Sequence, residues 1–243
     1  FLRVFLVVLC LIVFSPVTQS DAATEGLTAS FEGNIPKAAI RQFFPGGQYI
    51  LLTFSGGPHR DITSEILSIL QNASVHANFF VSAEKSLVHP RLLTDIVAGK
   101  HDLGHSGFYS TVSLSRKSKE EISAQIAAAS SLMKNLTQRE VVYFRPPGYF
   151  ISDALSDWIN ENHRTKTILW SIDVNYLLKD LKKSAHDVAE IVRTKAKPGD
   201  IINLAETRAT VRALPVILET LKKLRYELLT LTQVLSFPDD SPH

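Results

Sequence analysis

The sequence predicts an α/β fold in which parallel strands and helices alternate around a barrel. Three observations predict it. Short apolar segments of strand character alternate with segments of helical spacing, about seven times along the chain, and that alternation marks parallel βαβ units. So many repeats exceed a small open sheet, so a barrel, closed or incomplete, is the economical arrangement. The chain has 243 residues, 45% of them hydrophobic, enough for one sizeable core in one domain.

Each element has its own signal. The run YILLTF at 49–54 reads as a strand stopped by Gly56, Gly57 and Pro58. Asp61 is a candidate N-cap for a helix carrying Ile62, Ile66, Leu67 and Leu70 on one face. The run NFFV at 78–81 is the next strand, and 90–98 opens with Pro90 and has helical spacing. A punctuated loop is expected from Gly99 through Gly107. The clearest helix is 118–134, where Ser118 and Glu121 form a capping box and Ile122, Ile126 and Leu132 mark the buried stripe. Strands are expected at 141–144, 167–170, 200–204 and 227–231, and helices at 184–196 and 211–224. Residues 21–47 read as a leader wrapping the domain edge, 48–235 as the domain, and 236–243 as a tail. Parallel barrels carry chemistry in the loops after their strands. Those loops are 55–60, 99–110, 145–150, 171–177 and 205–208.

Composition narrows the partners. With 26 basic and 24 acidic residues the net charge is +2, which predicts no nucleic-acid or anionic-membrane partner. A neutral ligand such as an uncharged sugar fits this balance. Arg3 precedes the apolar run 4–14, and small and polar residues follow through Ser20. That is the order of a secretory signal peptide over 1–20. An uncleaved anchor is the alternative, and it is the one expected route to a membrane. Secretion to the cell surface or wall is therefore expected. Cys10, the single cysteine, lies in this segment, so no disulfide or thiolate site is expected beyond it. Asn72 and Asn135 head Asn-x-Ser/Thr sequons, weak signals for glycosylation.

The pieces Thr53-Phe54, Gly57-Pro58, Ala77-x-Phe79-Phe80-Val81, Phe144-Arg145-Pro146-Pro147, Trp170-Ser171-Ile172-Asp173 and Pro198-Gly199-Asp200-Ile201-Ile202 occur in that order, followed by the stretch from Ala213-Leu214-Pro215 to Thr230-Leu231. Together they resemble the NodB-homology polysaccharide deacetylases, the chitin deacetylase-like carbohydrate esterase family 4, over 48–235. The resemblance implies a distorted (β/α) barrel. It also implies hydrolysis of acetyl groups from N-acetylglucosamine polymers or O-acetylated sugars. In that family a divalent metal such as zinc, held by one Asp and two His, polarises the carbonyl and activates water. A second Asp is the base and a His the acid.

At the positions matching those motifs this chain departs. Ser55 stands for the base, Gly56 for the metal-binding Asp, and Ala205 for the acid. Ser106 and Ser110 fall on the two His ligands when Gly104 is placed on the motif's lead-in Gly. A one-residue shift keeps His105 instead and sets Tyr109 in place of its partner. Arg145 and Asp173 match support residues. Gly148 and Tyr149 are exchanged relative to the motif, and Gly148 retains a backbone N–H for an oxyanion. Tyr176 and Leu177 replace an Asp-Trp pair whose Trp walls the acetate pocket. No metal cofactor is expected, and a pseudoenzyme that binds chitin or a similar polysaccharide is favoured. The alternatives are an active deacetylase with displaced ligands and a structural wall or coat protein without a glycan site.

Three sharper readings remain open. His59, Asp61, His101, Asp102 and His105 are expected near the mouth, where a metal site rebuilt from His59, His101 and His105 competes with ordinary loop polarity. Ser55 as a nucleophile needs a base such as His105, oriented by Asp102 or Asp173, and no G-x-S-x-G elbow surrounds it. Phe108, Tyr109, Tyr149, Phe150 and Tyr176 are a sugar wall or simply packing over the barrel end.

Overall fold

The computed structural model describes residues 39–43, 47–110, 113–148, 151–174 and 184–237, all within the compact unit formed by residues 36–243. The signal segment, most of the leader, most of the tail, Tyr149, Phe150, Tyr176 and Leu177 lie outside the described residues. The strands are β1 (Tyr49–Gly57), β2 (Asn78–Val81), β3 (Asp102–His105), β4 (Tyr143–Phe144), β5 (Lys166–Thr167), β6 (Ile172–Asp173), β7 (Ile201–Ala205) and β8 (Glu227–Leu228). The helices are α1 (Arg60–Asn72), α2 (Ala83–Val88), α3 (Pro90–Ala98), α4 (Lys119–Thr137), α5 (Asp153–His163), α6 (Ala185–Lys195), α7 (Arg208–Lys223) and α8 (Leu231–Leu235).

The strands form one sheet in the order β5-β4-β3-β2-β1-β7-β6, with β8 beside β1, and the pairs are parallel. The curved sheet with helices outside it is the expected incomplete barrel. β1 is its central strand. Ile50, Leu52 and Phe54 join Ile66, Leu214 and Ile217 in the layer between sheet and helices. Leu51, on the opposite face, packs with Phe80, Tyr143, Ile168 and Ile201 inside the barrel. Alternation along a strand therefore sets Thr53 and Ser55 on the interior face with Leu51. A strand buried on both faces reads as a continuous apolar run, which is why YILLTF was legible.

The described residues 39–43 pair with the domain through two isolated bridges. Ile40 bridges to Ile168 and Gln42 to Asp200. The capping box at Ser118 and Glu121 forms as expected.

Several elements differ from expectation. The stretch 102–105 is a strand, not loop. A Cβ at Gly104 would come within 2.7 Å of the Phe80 ring, so that glycine serves close packing rather than a turn. The strands expected at 141–144 and 167–170 reach only two paired residues each. The strand expected at 227–231 stops at Leu228, and Thr230 with Gln233 caps α8 instead. Helices α2, α5 and α8 were not expected. α1 starts at Arg60 with His59 at its N-cap and no side-chain cap bond. Asp61 instead lies in the first turn, where a negative charge suits the helix dipole, and pairs loosely with Arg208 at 3.8 Å.

The lower end of the barrel is tied by Asp102 and Asn78. The Asp102 carboxylate accepts from Thr232 N at 2.7 Å and Thr232 Oγ1 at 2.9 Å. Asn78 accepts from Leu231 N at 2.8 Å and donates to Leu52 O at 2.9 Å. Both ties dock the start of α8. Replacing Asp102 by Ala is expected to cost about 1–2 kcal/mol, because it strips the acceptor from two partly buried donors. A urea denaturation midpoint equal to that of wild type would contradict this.

Candidate functional site

A small pocket opens beyond the C-terminal ends of β1, β3 and β4. Ser55, Gly56, Ser106, Ser110, Arg145, Pro146, Pro147 and Gly148 line it, and it encloses about 40 Å³. The structure thus brings together six of the positions singled out in the sequence: Ser55, Gly56, Ser106, Ser110, Arg145 and Gly148. The phase that sets Ser106 and Ser110 at the mouth matches this geometry. Ala205 lies beside Ser55 in the β1–β7 ladder, and Asp173 lies beside Asn203 on β6.

Arg145 organises the pocket floor. It is 1% exposed. Its Nη1 donates to Thr53 Oγ1 at 3.0 Å, Ser55 Oγ at 2.9 Å and Asn203 Oδ1 at 3.0 Å. Its Nε donates to Ile168 O and its Nη2 to Leu169 O, each at 3.0 Å. The guanidinium lies over the Phe80 ring, 3.9 Å from its centroid, with Trp170 at 5.2 Å. Ser55 Oγ in turn donates to Asn203 Oδ1 at 2.8 Å. The Ser55 proton therefore points at an amide oxygen, which cannot serve as a base. Asn203 was missed in the sequence; its signal is one polar residue inside the apolar run 201–204.

His105 does not belong to the pocket. It is fully buried, its Nδ1 accepts from Gly107 N at 3.2 Å, and Ser130 Oγ lies 3.2 Å from its Nε2. Those bonds assign the proton to Nε2. Burial, with His163 secondarily, pushes its pKa down to about 3, so it stays neutral against α4. It is neither a ligand in the alternative phase nor a base for Ser55. His101 and Asp102 are also corrected. They open β3, while the pocket lies past its other end, some 10 Å away at about 3.3 Å per residue. His101 Nδ1 accepts from Ala77 N at 3.1 Å, and burial with His76 nearby lowers its pKa to about 4. Among the described residues, His59, His101 and His105 are not gathered into a group that could hold a metal ion.

Two further side chains flank the mouth. Glu206 follows the degenerate Ala205 and is 4% exposed. Thr63 Oγ1 donates to its Oε2, its Oε1 has no partner, and burial raises its pKa to about 7. A Cβ at Gly57 would come within 2.1 Å of Oε1, so the carboxyl packs where only glycine leaves room. Lys85 Nζ donates to Gly56 O and contacts His59 Nε2 at 3.2 Å. Burial and then Lys85 lower the His59 pKa. Of the aromatic set, Phe108 packs against the core and Tyr109 is 46% exposed, their rings edge-to-face at 4.9 Å. The sequon residues Asn72 and Asn135 are both exposed, at the end of α1 and inside α4 respectively.

The donor set does not fit a divalent ion. Among the described residues no group of three His, Cys, Asp or Glu side chains could hold one. The pocket offers neutral hydroxyls, a glycine and a buried cation, and divalent metals select carboxylate, imidazole or thiolate.

Comparison with known proteins places the chain. The family model for polysaccharide deacetylase matches residues 45–166. An uncharacterized 30.6 kDa protein of Geobacillus stearothermophilus is 31% identical, over 75% of this chain and 69% of its own. The chain belongs to the polysaccharide deacetylase family. A peptidoglycan-N-acetylglucosamine deacetylase of Bacillus cereus is 28% identical, over 77% of this chain and 88% of its own. Among solved structures, the wild-type BA3943 of Bacillus anthracis, described as a CE4 family pseudoenzyme, aligns with a TM-score of 0.74 at 23% identity, covering 82% of this chain and 69% of that one. A mutant of BA3943 with restored enzymatic activity aligns equally well, with a TM-score of 0.75.

Two measurements test this geometry. Arg145→Met removes the donor to five acceptors and is expected to cost about 3–5 kcal/mol, which a denaturant midpoint would register. Glu206 gives a pH signature. Its folded pKa, about 7, lies above the unfolded 4.5. Its contribution is therefore complete below pH 4.5 and lost as pH rises through 7, by up to about 3 kcal/mol. His105 and His101 act oppositely, since depressed imidazoles withdraw stability as pH falls below 6.5. Glu206→Gln should remove this loss between pH 4.5 and 7, so that the variant's melting temperature rises more steeply with pH there than that of wild type, while the two follow the same course below pH 4.5. Parallel curves for variant and wild type would overturn the assignment.

Proposed function

We propose that this protein is a catalytically silent member of the polysaccharide deacetylase family, exported from the cell, that engages an acetylated wall glycan such as chitin or peptidoglycan without deacetylating it. One observation carries the reading. Every position at which the family resemblance requires an acid, a base or a metal ligand holds Ser55, Gly56, Ser106, Ser110 or Ala205, and four of these five line the pocket.

The chemistry supports silence. Deacetylation needs a group that accepts a proton from water and one that returns it to the leaving amine. The hydroxyls of Ser55, Ser106 and Ser110 do neither at neutral pH. Ser55 is engaged by Asn203 and Arg145. Arg145 and Asp173 support the scaffold, and Gly148 retains a backbone N–H at the pocket wall. A pocket of hydroxyls, with the exposed ring of Tyr109 next in sequence to the lining residue Ser110, suits a neutral sugar better than an ion. BA3943 offers a precedent for the fold without activity. Peptidoglycan-N-acetylglucosamine and chitooligosaccharide deacetylases among the relatives motivate the choice of glycan. Export rests on the order of residues 3–20, basic then apolar then small. Asn72 and Asn135 are candidate glycosylation positions in such a route.

The test combines turnover and retention. Purified protein is incubated with chitopentaose and with peptidoglycan, with Zn²⁺ or Co²⁺ added, and released acetate is measured. The expected result is no release above the blank. Acetate released at enzymatic rates and abolished by a chelator would end the reading. Retention on insoluble chitin or peptidoglycan, weakened by Tyr109→Ala, is expected. Failure to bind any acetylated glycan would leave a structural wall component as the better description.

A further inference from the structure

We infer that the segment from the end of β2 through the first turn of α2 is an internal clamp, with Glu84 and Lys85 as its arms, that holds the two loops of the mouth together where family members use a metal ion. The inference rests on the misfit between the pocket's donors and a metal. It goes further by naming what replaces the ion's cross-link.

A metal held by one residue from the end of β1 and two from the loop after β3 joins those two segments. Here the three corresponding positions are Gly56, Ser106 and Ser110, and the clamp grips all three. Lys85 Nζ donates to Gly56 O. Val81 O accepts from Ser106 N at 2.9 Å. Glu84 Oε1 accepts from Ser110 N and from Ser110 Oγ, each at 3.1 Å. Backbone bonds continue the seam: Ser82 N donates to Gly57 O at 3.1 Å, Ala83 N to Gly107 O at 3.2 Å, and Glu84 N to Phe108 O at 3.0 Å. Lys85 also meets His59 Nε2 at 3.2 Å.

The division of labour follows from charge. Glu84 can only accept when ionised, and Ser110 supplies two donors. Lys85 can only donate, and Gly56 O with the lone pair of a neutral His59 supplies two acceptors. Adjacent residues of opposite charge thus reach opposite loops. Both side chains are partly buried, where charge-assisted bonds are stronger than neutral ones. The clamp also disfavours a cation, because its ammonium lies against the carbonyl of the residue at the lost carboxylate position. The loops are consequently held in shape without metal.

The experiment uses the full chain and reads amide hydrogen exchange by mass spectrometry, with thermal melting alongside. Glu84→Ala and Lys85→Met are each expected to speed exchange over 56–59 and 107–110 by about tenfold or more, while 50–54 in β1 keeps its protection. Melting should fall by about 2–4 °C. Lys85→Arg should restore protection of 56–59, which a purely general loss of stability would not do. Asp102→Ala, placed at the other end of the barrel, should lower melting without selectively loosening the mouth. Wild type should be indifferent to EDTA and to added Zn²⁺ in both readouts. If EDTA loosens the mouth of wild type, the metal-free reading itself is wrong. If EDTA has no effect and the Glu84 and Lys85 variants exchange like wild type, the clamp alone is overturned.

Discussion

A guanidinium group removed from water must find its hydrogen bonds inside the protein, because an unpaired buried cation is among the most costly features a fold can carry. Arg145 meets that demand by drawing on three places at once. Thr53 and Ser55 come from β1, Asn203 from β7, and the carbonyls of Ile168 and Leu169 from the segment after β5. The aromatic faces of Phe80 and Trp170 complete the enclosure. Strands separated widely in sequence are thereby fixed to one centre, and the pocket's floor is the upper surface of that centre.

Such an arrangement separates persistence of the scaffold from persistence of chemistry. Thr53, Ser55, Asn203 and the carbonyls of Ile168 and Leu169 are neutral acceptors, so these bonds form without a carboxylate at the base or metal position. Asn203 is the chain's particular device here. Its Oδ1 receives both the Ser55 hydroxyl and the guanidinium, and it sits in the face of β7 that otherwise carries Ile201 and Ala205. A second neutral contact does similar work above it. Glu206, half-neutralised near pH 7 by burial, fills the space that Gly57 leaves open. The Asn203 amide has no proton to exchange at neutral pH, and the Glu206 carboxyl is buried and bonded to Thr63, outside the set of residues that line the pocket.

The fold was legible where local and tertiary signals agreed. β1 is apolar on both faces, and the helix at 119–137 has a capping box and a buried stripe, so each announced itself. β3 was read as loop because His101, Asp102 and Gly104 resemble turn chemistry. Their polarity is absorbed by partners far along the chain, Ala77 for His101 and Thr232 for Asp102, which no local window can show. The helix at 153–163 was missed because its apolar positions are few and its docking is set by neighbours such as Ile126 and Phe144. At the site, the loops and the degenerate positions followed from motif order. The role of His105 did not. Two registers of the motif were open until the ring was placed against Ser130 and Gly107, facing away from the pocket. Lys85 and Glu84 carried no signal at all, since a charged pair at the start of a short helix ordinarily reads as a solvated surface.

This arrangement also bears on how far the chain stands from activity. A carboxylate at position 55 alone would meet Arg145 directly and form an ion pair, which lowers a carboxylate's pKa and weakens it as a base. A carboxylate at position 56 would need a backbone with φ of +91°, a region that costs a non-glycine residue about 1–3 kcal/mol, and it would find the Lys85 ammonium near it before any metal. Histidines at 106 and 110 would have to enter without a carboxylate partner, and the one at 110 would remove the hydroxyl that donates to Glu84, leaving only the backbone N–H. Each step taken singly meets a neighbour adapted to the vacated position. On the proposed reading, the site therefore differs from one that could hold a metal by a set of mutually supporting contacts rather than by five independent side chains, and ligands placed there would require α2 to give up its hold on the mouth.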